Sequence, residues 1–180
     1  MIQNFRYCNS SNICINIFLG AGMFNDISKE LFNKFYDGSL KQTEWDFLDR
    51  HIVLKSNTQS VLGYPSLDKN YVIAVYHGDD GEYLSPGNAV IYHADGSLHK
   101  VLIVPPLISD AAKRWGIYKR KSSEGLFFTN VCWKLTKKYE LALAMQIEQV
   151  GGRGIFKEVR ILDPQSGTFG ECIYGAIEYK

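Results

Sequence analysis

The sequence lacks the compositional features that mark membrane proteins and nucleic-acid-binding proteins. Its longest apolar runs, near residues 13–19 and 101–104, are far shorter than the ~20 residues that a membrane-spanning helix needs. Its N-terminal residues do not combine a basic segment with the apolar core of a signal peptide. Its 20 basic and 19 acidic residues leave a net charge of +1, which provides no long-range attraction for nucleic acid or an anionic membrane. We therefore expect a cytoplasmic protein with no membrane or nucleic-acid partner.

Cysteine is scarce, and its spacing excludes the common zinc sites. The chain contains four cysteines, Cys8, Cys14, Cys132 and Cys172. Cys8 and Cys14 are further apart than a zinc-binding pair allows, and no His-x₃₋₅-His follows either of them. A domain of this size needs no disulfide framework, so buried or half-buried thiols are predicted. We expect no metal and no cofactor.

The residues that are present suffice for one globular domain over residues 1–180. Apolar residues make up 46% of the chain and aromatic residues 13%, which is enough to bury a sizeable core at this length. Charged residues make up 22%, so the composition is not that of a disordered protein. No internal repeat and no low-complexity linker divides the chain.

The N-terminal third carries the clearest helix signal. Apolar and polar residues alternate over residues 13–19, which predicts a strand. A helix is then predicted to begin at Asn25 or Asp26, as the N-cap, and to end at Gly38, since apolar residues recur at every fourth position between them.

A second, shorter helix is predicted to follow. Thr43 with Asp46 three residues later resembles a capping box, and the apolar residues after it extend the helix to Leu48. Residues 52–54 begin another predicted strand. Residues 56–68 are predicted to form a loop because they include Gly and Pro and show no apolar period.

Beyond this point the apolar period changes to two. Residues 71–77 read as a strand, and Asp95-Gly96 has the composition of a type I′ turn that joins strands at 89–94 and 97–104 into a hairpin.

A short helix and four further strands complete the predicted elements. Ser109 and Gly116 bracket a predicted helix at residues 110–115. Short connections join the last four predicted strands, at residues 126–135, 139–149, 155–162 and 168–179. The pattern predicts an α+β fold: an antiparallel meander sheet with two N-terminal helices and one short helix between strands.

Gly20, Gly22 and Asn25 form a candidate phosphate-binding turn. They lie between the first predicted strand and helix, where free backbone N–H groups suit a phosphate. However, Asn25 stands where the dinucleotide fingerprint requires a third Gly. The segment INIFLGAGMFND resembles the opening of nucleoside deoxyribosyltransferases, which would imply a parallel sheet, but the catalytic Glu of that family has no clear counterpart here. An enzyme acting on a nucleotide or other small molecule at this turn is the alternative hypothesis.

His93 and His99 are candidates for a metal or acid–base pair. In a regular two-residue hairpin His93 would lie opposite Leu98, and Tyr92 opposite His99. The two imidazoles are therefore predicted to point to opposite faces of the sheet. Convergence of the two rings, or a mostly parallel sheet behind Gly20, would overturn the non-enzymatic interpretation.

Acidic and tyrosine residues predict a protein-binding surface. The segment HGDDGE has an unsuitable spacing for a calcium loop, so an acidic surface turn is expected. Tyrosine is common in binding hot spots, and the chain has eleven. The predicted contact residues for a protein partner are Asp79, Asp80, Glu82, Tyr83 and Tyr92.

The chain resembles bacterial toxin-immunity proteins over its whole length. The resemblance rests on size, on the abundance of asparagine, lysine, isoleucine and tyrosine, on the order of helices and strands, and on the lack of an active-site motif. It implies a non-enzymatic protein that binds and neutralises a cognate toxin, with the acidic turn entering a basic cleft. Exposed sheet edges would also permit a dimer.

Overall fold

The computed structural model describes residues 1–16, 28–116, 125–151 and 154–179, and strands dominate it. Within these described residues, strands account for 56% and helices for 8%, and the strands form three four-stranded antiparallel sheets. The predicted α+β fold with two N-terminal helices is therefore wrong. The chain is mostly β, and the single meander expected from the sequence is divided among three sheets.

The first sheet has the strand order β2-β1-β3-β4. Its strands are β1 (Ile2–Asn9), β2 (Cys14–Asn16), β3 (Lys41–Phe47) and β4 (Arg50–Leu54). One face is apolar and joins a buried cluster, whereas the other carries charged side chains, as is usual for an antiparallel sheet.

The second sheet has the order β5-β6-β7-β8. Its strands are β5 (Ser60–Pro65), β6 (Tyr71–His77), β7 (Ala89–His93) and β8 (Leu98–Leu102). The third sheet has the order β12-β11-β10-β9. Its longer strands are β9 (Leu126–Leu135), β10 (Leu141–Gly151), β11 (Gly154–Asp163) and β12 (Thr168–Tyr179).

In the described part of the chain, two short helices accompany the sheets. Helix α1 (Lys29–Phe35) has the Ser28 hydroxyl accepting the Leu31 N–H, so its first turn begins later than the predicted cap at Asn25 or Asp26, which lie outside the described residues. Helix α2 (Asp110–Trp115) confirms its prediction: Ser109 caps the N-terminus, and Gly116 ends it in the left-handed conformation.

The second sheet lies between the other two and is buried on both faces. One face packs against the third sheet and α2 in a core that includes Ile73, Ile91, Phe128 and Met145. The opposite face carries Val72, which packs into the apolar cluster of the first sheet. Burial on both faces explains why β6 and β7 are continuous apolar runs instead of alternating ones.

Side chains of the first sheet hydrogen-bond directly to the backbone of the second. The Trp45 indole N–H donates to the Ala94 carbonyl at 2.7 Å, and the Tyr7 hydroxyl donates to the Gly63 carbonyl at 2.6 Å. The Thr43 hydroxyl accepts the Gly63 N–H at 2.7 Å. A Cβ at Gly63 would lie 2.7 Å from the Thr43 methyl carbon, so this close approach requires glycine.

The second predicted helix is strand β3. Thr43 and Trp45 are fully buried on one side, while Glu44 faces Arg6 on the other, which is the period of a strand. In the sequence, the apolar residues 45, 47 and 48 fit the period of a helix as well as that of a strand. In the structure, Leu48 is 77% exposed in the turn after β3. The predicted loop at 56–68 is also wrong in part, since it contains β5.

Cys8 and Cys14 form a disulfide, so the prediction of free thiols is wrong for this pair. The two residues are directly opposite one another in the β1–β2 ladder. Their separation of six residues spans the tight connection between two antiparallel strands, which brings the side chains together. Cys132 and Cys172 are free and half-buried, as expected. Among the described residues, no helix is both long enough and apolar enough to cross a membrane.

A buried ion pair fixes the segment before α2. The fully buried Glu158 carboxylate accepts the Ile108 N–H at 3.2 Å and the Ser109 N–H at 3.0 Å, and Arg160 Nη1 lies 3.4 Å from it. Arg160 also donates to the carbonyls of Gly170 and Pro106.

We expect Glu158→Ala to lower the free energy of unfolding by about 3–5 kcal/mol, because it leaves a buried guanidinium and two backbone N–H groups without their acceptor. Glu178→Ala, which breaks an exposed pair with Lys157 in the same sheet, should cost less than about 1 kcal/mol. Urea denaturation of both variants measures the difference. Equal costs would contradict a structural role for the buried pair.

Candidate protein-binding site

The connection between β6 and β7, residues 78–88, carries the predicted acidic turn. Asp79, Asp80 and Glu82 are all exposed on it. It is long for a connection between adjacent antiparallel strands and forms no helix or strand of its own. Loops of this kind are the usual carriers of binding residues on a rigid scaffold.

Gln59 fastens the middle of this loop from beneath. Its fully buried amide donates through Nε2 to the Tyr83 carbonyl at 2.7 Å and accepts the Tyr83 N–H through Oε1 at 3.4 Å. Gly81 lies over the same amide with a φ of +147°, and a Cβ there would lie 2.2 Å from Gln59 Oε1. The loop can therefore follow this path only with glycine at position 81.

Asn88 and Ser85 fasten the end of the loop to the third sheet. The Asn88 amide donates to the carbonyls of Tyr76 and Phe128, at 3.1 and 2.8 Å, and accepts the Phe128 N–H at 2.9 Å. The Ser85 hydroxyl donates to the Leu126 carbonyl at 2.6 Å. The loop is therefore held at both its middle and its end by hydrogen bonds between side chains and backbone.

Three tyrosines pack beneath the acidic loop. The hydroxyls of Tyr76 and Tyr92 are hydrogen-bonded at 2.6 Å, and the ring of Tyr83 lies 4.6 Å from that of Tyr76. Burial raises the pKa of Tyr76 to about 12 and also raises that of Tyr92. Burial, the nearby Tyr92 and a hydrogen bond with Glu82 raise the pKa of Tyr83.

The structure thus gives different roles to the predicted contact residues. Tyr92 is only 7% exposed, so it offers a partner little surface, and it supports the loop from below. Tyr83 is half-buried and covers an apolar cluster on the second sheet. Asp79, Asp80 and Glu82 remain available to a partner. Sequence reasoning missed Gln59 and Tyr76, whose roles depend on contacts between distant segments.

An exposed apolar patch borders the acidic loop. Leu84 is 44% exposed, Val101 37% and Ile103 55%. Gly87 lies next to all three residues. A Cβ on Gly87 would be 3.1 Å from Ile103 Cδ1, 3.7 Å from Val101 Cγ1 and 3.6 Å from the Leu84 carbonyl oxygen. We call the combined area the loop–edge surface; it consists of Asp79, Asp80, Glu82, Leu84, Val101 and Ile103.

Val101 belongs to β8, which is an edge strand. Within the described residues β8 pairs only with β7. An edge strand presents unpaired N–H and C=O groups to which a partner strand can bond. Alternation of Val101 and Ile103 with the buried Leu102 and Val104 is the one sequence signal that could have identified this part of the surface.

A polar groove lies on the other side of the loop. It has a volume of about 490 Å³ and is lined by Lys55, Ser56, Asn57, Thr58, Tyr76 and Glu82. Lys55 and Glu82 give it one charge of each sign.

The candidate phosphate-binding residues Gly20, Gly22 and Asn25 lie outside the described residues. Cys8, Cys14 and Glu44 place potential metal-ligating atoms within 4.8 Å of one another. The two sulfurs are bonded to each other, and the Glu44 carboxylate is paired with Arg6 at 2.8 Å. In this state the group has no thiolate to offer a metal.

The prediction for His93 and His99 is wrong, because the two rings converge. Their centroids are 4.7 Å apart, and each packs against Tyr71. The cause is an irregularity in the hairpin: Ile91 pairs with Lys100 but Tyr92 pairs with Leu98, so His99 is an extra residue in β8. The bulge rotates His99 to the face that carries His93.

No protein-family model matches the chain, and no curated protein or solved structure is significantly similar to it.

Substitution at Gly81 tests the packing of the loop against Gln59. We expect Gly81→Ala to destabilise the protein more than Gly38→Ala does. Both glycines have positive φ, but the space around Gly38 is open, so its substitution adds backbone strain without a steric clash. Urea denaturation gives the stability, and hydrogen exchange of the Tyr83 amide reports on the loop. Equal destabilisation by the two substitutions would show that Gln59 does not hold the loop closely.

Alkaline pH tests the buried tyrosines. The unfolded chain releases phenolic protons near a pKa of about 10, whereas burial keeps Tyr76 and Tyr92 protonated at higher pH. The contribution of Tyr76 to stability is therefore complete below about pH 10 and is lost as the pH rises through about 12, whereas that of Tyr92 is lost at higher pH. Tyr76→Phe with Tyr92→Phe should make this fall shallower, as measured by urea denaturation between pH 9 and 12. An unchanged pH dependence would contradict burial of these hydroxyls.

Proposed function

We propose that this chain is a protein-binding domain, and that the loop–edge surface is its contact area. The convergence of His93 and His99 removes the argument made from the sequence against an enzyme, so the proposal concerns binding alone. The observation that carries the proposal is the combination of three exposed carboxylates on a firmly held loop with adjoining exposed apolar residues at an unpaired strand edge. Apolar centres with polar surroundings are typical of specific protein interfaces.

The hydrogen bonds from Gln59, Ser85 and Asn88 support this proposal. A loop that already has its bound conformation loses little entropy on association, so more of the contact energy appears as affinity. The buried tyrosines add support because they fill the space beneath the loop.

The charge of the surface indicates a basic partner. Asp79, Asp80 and Glu82 project three negative charges from one short segment, and charge complementarity steers association and discriminates among partners. A toxin that cleaves nucleic acid must bind a polyanion and therefore has a basic cleft. We propose that the partner is such a bacterial toxin and that the chain is its immunity protein.

The alternative, an enzyme acting at residues 20–25, gains no support, since these residues lie outside the described part of the chain. We propose a cytoplasmic location. The Cys8–Cys14 disulfide argues against it, because disulfides are rare in that compartment. Alkylation of thiols in intact cells, followed by mass spectrometry, tests the proposal: labelled Cys8 and Cys14 indicate a reducing compartment, and unlabelled ones contradict a cytoplasmic location.

The test of function is to co-purify the partner with the wild-type chain and with variants in which acidic residues are replaced by lysine. Wild-type chain expressed in its source cells should co-purify with a basic protein that inhibits growth when expressed alone. The double variant Asp79→Lys with Asp80→Lys should weaken that complex at least about tenfold, because it places like charges opposite each other. Raised salt should weaken the wild-type complex as well.

The β3–β4 turn provides matched controls. Asp49→Lys reverses an exposed acidic residue, and Leu48→Asp changes an exposed leucine, both away from the loop. Leu84→Asp should weaken the complex, whereas the two control variants should leave it unchanged. If the partner bound all variants equally, or if loop–edge variants altered only self-association measured by light scattering, the proposed contact surface would be wrong.

A further inference from the structure

His93 and His99 form a second feature that is independent of the loop–edge surface. They occupy the end of the hairpin β7–β8, on the face that packs against the third sheet, where Tyr71 contacts both rings. The bulge at His99 is the reason for their convergence. Bulges that re-aim a side chain are common beside functional sites.

The separation of the rings suits a shared metal ion. An imidazole nitrogen binds a transition metal at about 2.0–2.1 Å, which places each ring centroid about 3.2 Å from the ion. Centroids 4.7 Å apart would then subtend an angle of roughly 95° at the ion. This angle is close to the ~90° between neighbouring ligands in octahedral and square-planar complexes and smaller than the ~109° of a tetrahedral zinc site.

A backbone contact selects the nitrogen of His99 that is free to bind. His99 Nε2 lies 2.8 Å from the Gln165 carbonyl oxygen in the turn between β11 and β12. A carbonyl oxygen only accepts, so Nε2 carries the proton and Nδ1 retains its lone pair. Metal-binding histidines are commonly oriented in this way by a backbone carbonyl.

The same turn is held against β8 by a second contact. The Lys100 ammonium donates to the Ser166 carbonyl at 2.7 Å, and the Lys100 stem crosses Gly167 so closely that a Cβ there would lie 2.4 Å from Lys100 Cδ. The carbonyl that orients His99 is therefore fixed in position. The Lys100 charge is fixed by the same turn.

We propose that His93 and His99 form a binding site for a divalent transition metal of the Ni²⁺ or Cu²⁺ type. Two imidazoles supply the protein ligands, and the other coordination positions are open to water or to a donor group from another molecule. Among the described residues no thiol or carboxylate completes a three-ligand group with this pair.

Titration with Ni²⁺ tests the site. Ni²⁺ is a suitable probe because the free thiols Cys132 and Cys172 do not reduce it. The chain must carry no polyhistidine tag, which would bind the same ion. Calorimetry should show one equivalent of Ni²⁺ bound and no binding of Mg²⁺, which prefers oxygen ligands. Either His93→Asn or His99→Asn should lower the Ni²⁺ affinity about tenfold or more.

The other two histidines provide controls. His51 is bonded to Asp46 at 2.8 Å, and burial lowers the pKa of His77. His51→Gln and His77→Gln should leave the Ni²⁺ affinity unchanged. On the wild-type chain, substoichiometric Ni²⁺ should broaden the imidazole proton signals of His93 and His99 before those of His51 and His77. The same affinity in all four variants, or first broadening at His51 or His77, would overturn the proposal.

Discussion

Burial of the second sheet on both faces is the constraint on which the rest of the structure depends. A strand such as β6, apolar at nearly every position, is stable only if each face is covered. The third sheet, with its long strands, covers one face together with α2. The first sheet covers the other face only in part, and Leu54 is shared between its cluster and the neighbouring one that contains Tyr76 and Tyr92.

The acidic loop completes the cover that the first sheet leaves open. Tyr83 folds back from the loop over the cluster around Tyr76 and Tyr92, and Gln59 holds its backbone in that position. The acidic loop therefore does two things: it covers an apolar face of the second sheet, and it exposes charged side chains to solvent. This coupling accounts for a long connection with many fixed contacts where a tight hairpin would have joined the strands.

The two candidate sites occupy different parts of the second sheet. The loop–edge surface lies at the connection from β6 to β7 and along β8, and the histidine pair lies at the hairpin that joins β7 to β8. Both depend on irregularities: a positive φ at Gly81 in the first case and a bulge at His99 in the second. Regular strands would place Asp79 and Asp80 in a short turn and would separate the imidazoles across the sheet.

The sequence by itself determined the local elements whose signals do not depend on distant contacts. The cap at Ser109, the stop at Gly116, the strand at 71–77 and the four final strands follow from turn residues and apolar period. The acidic turn was also identified correctly as exposed. In each case the physical cause, a capping hydrogen bond, a left-handed glycine or an alternating face, acts within a few residues.

Tertiary structure alone decided the rest. β3 was mistaken for a helix because the apolar residues from Trp45 onward fit both periods, and only pairing with β1 and β4 selects the strand. β1 was not predicted, because the irregularity between Gln3 and Arg6 breaks the alternation of its buried residues Ile2, Phe5 and Tyr7. The Cys8–Cys14 disulfide, the bulge at His99 and the hydrogen bonds of Gln59 to Tyr83 each bring together residues whose contact depends on the register of paired strands. A shift of one residue in that register moves every side chain to the opposite face, and a linear pattern does not specify it.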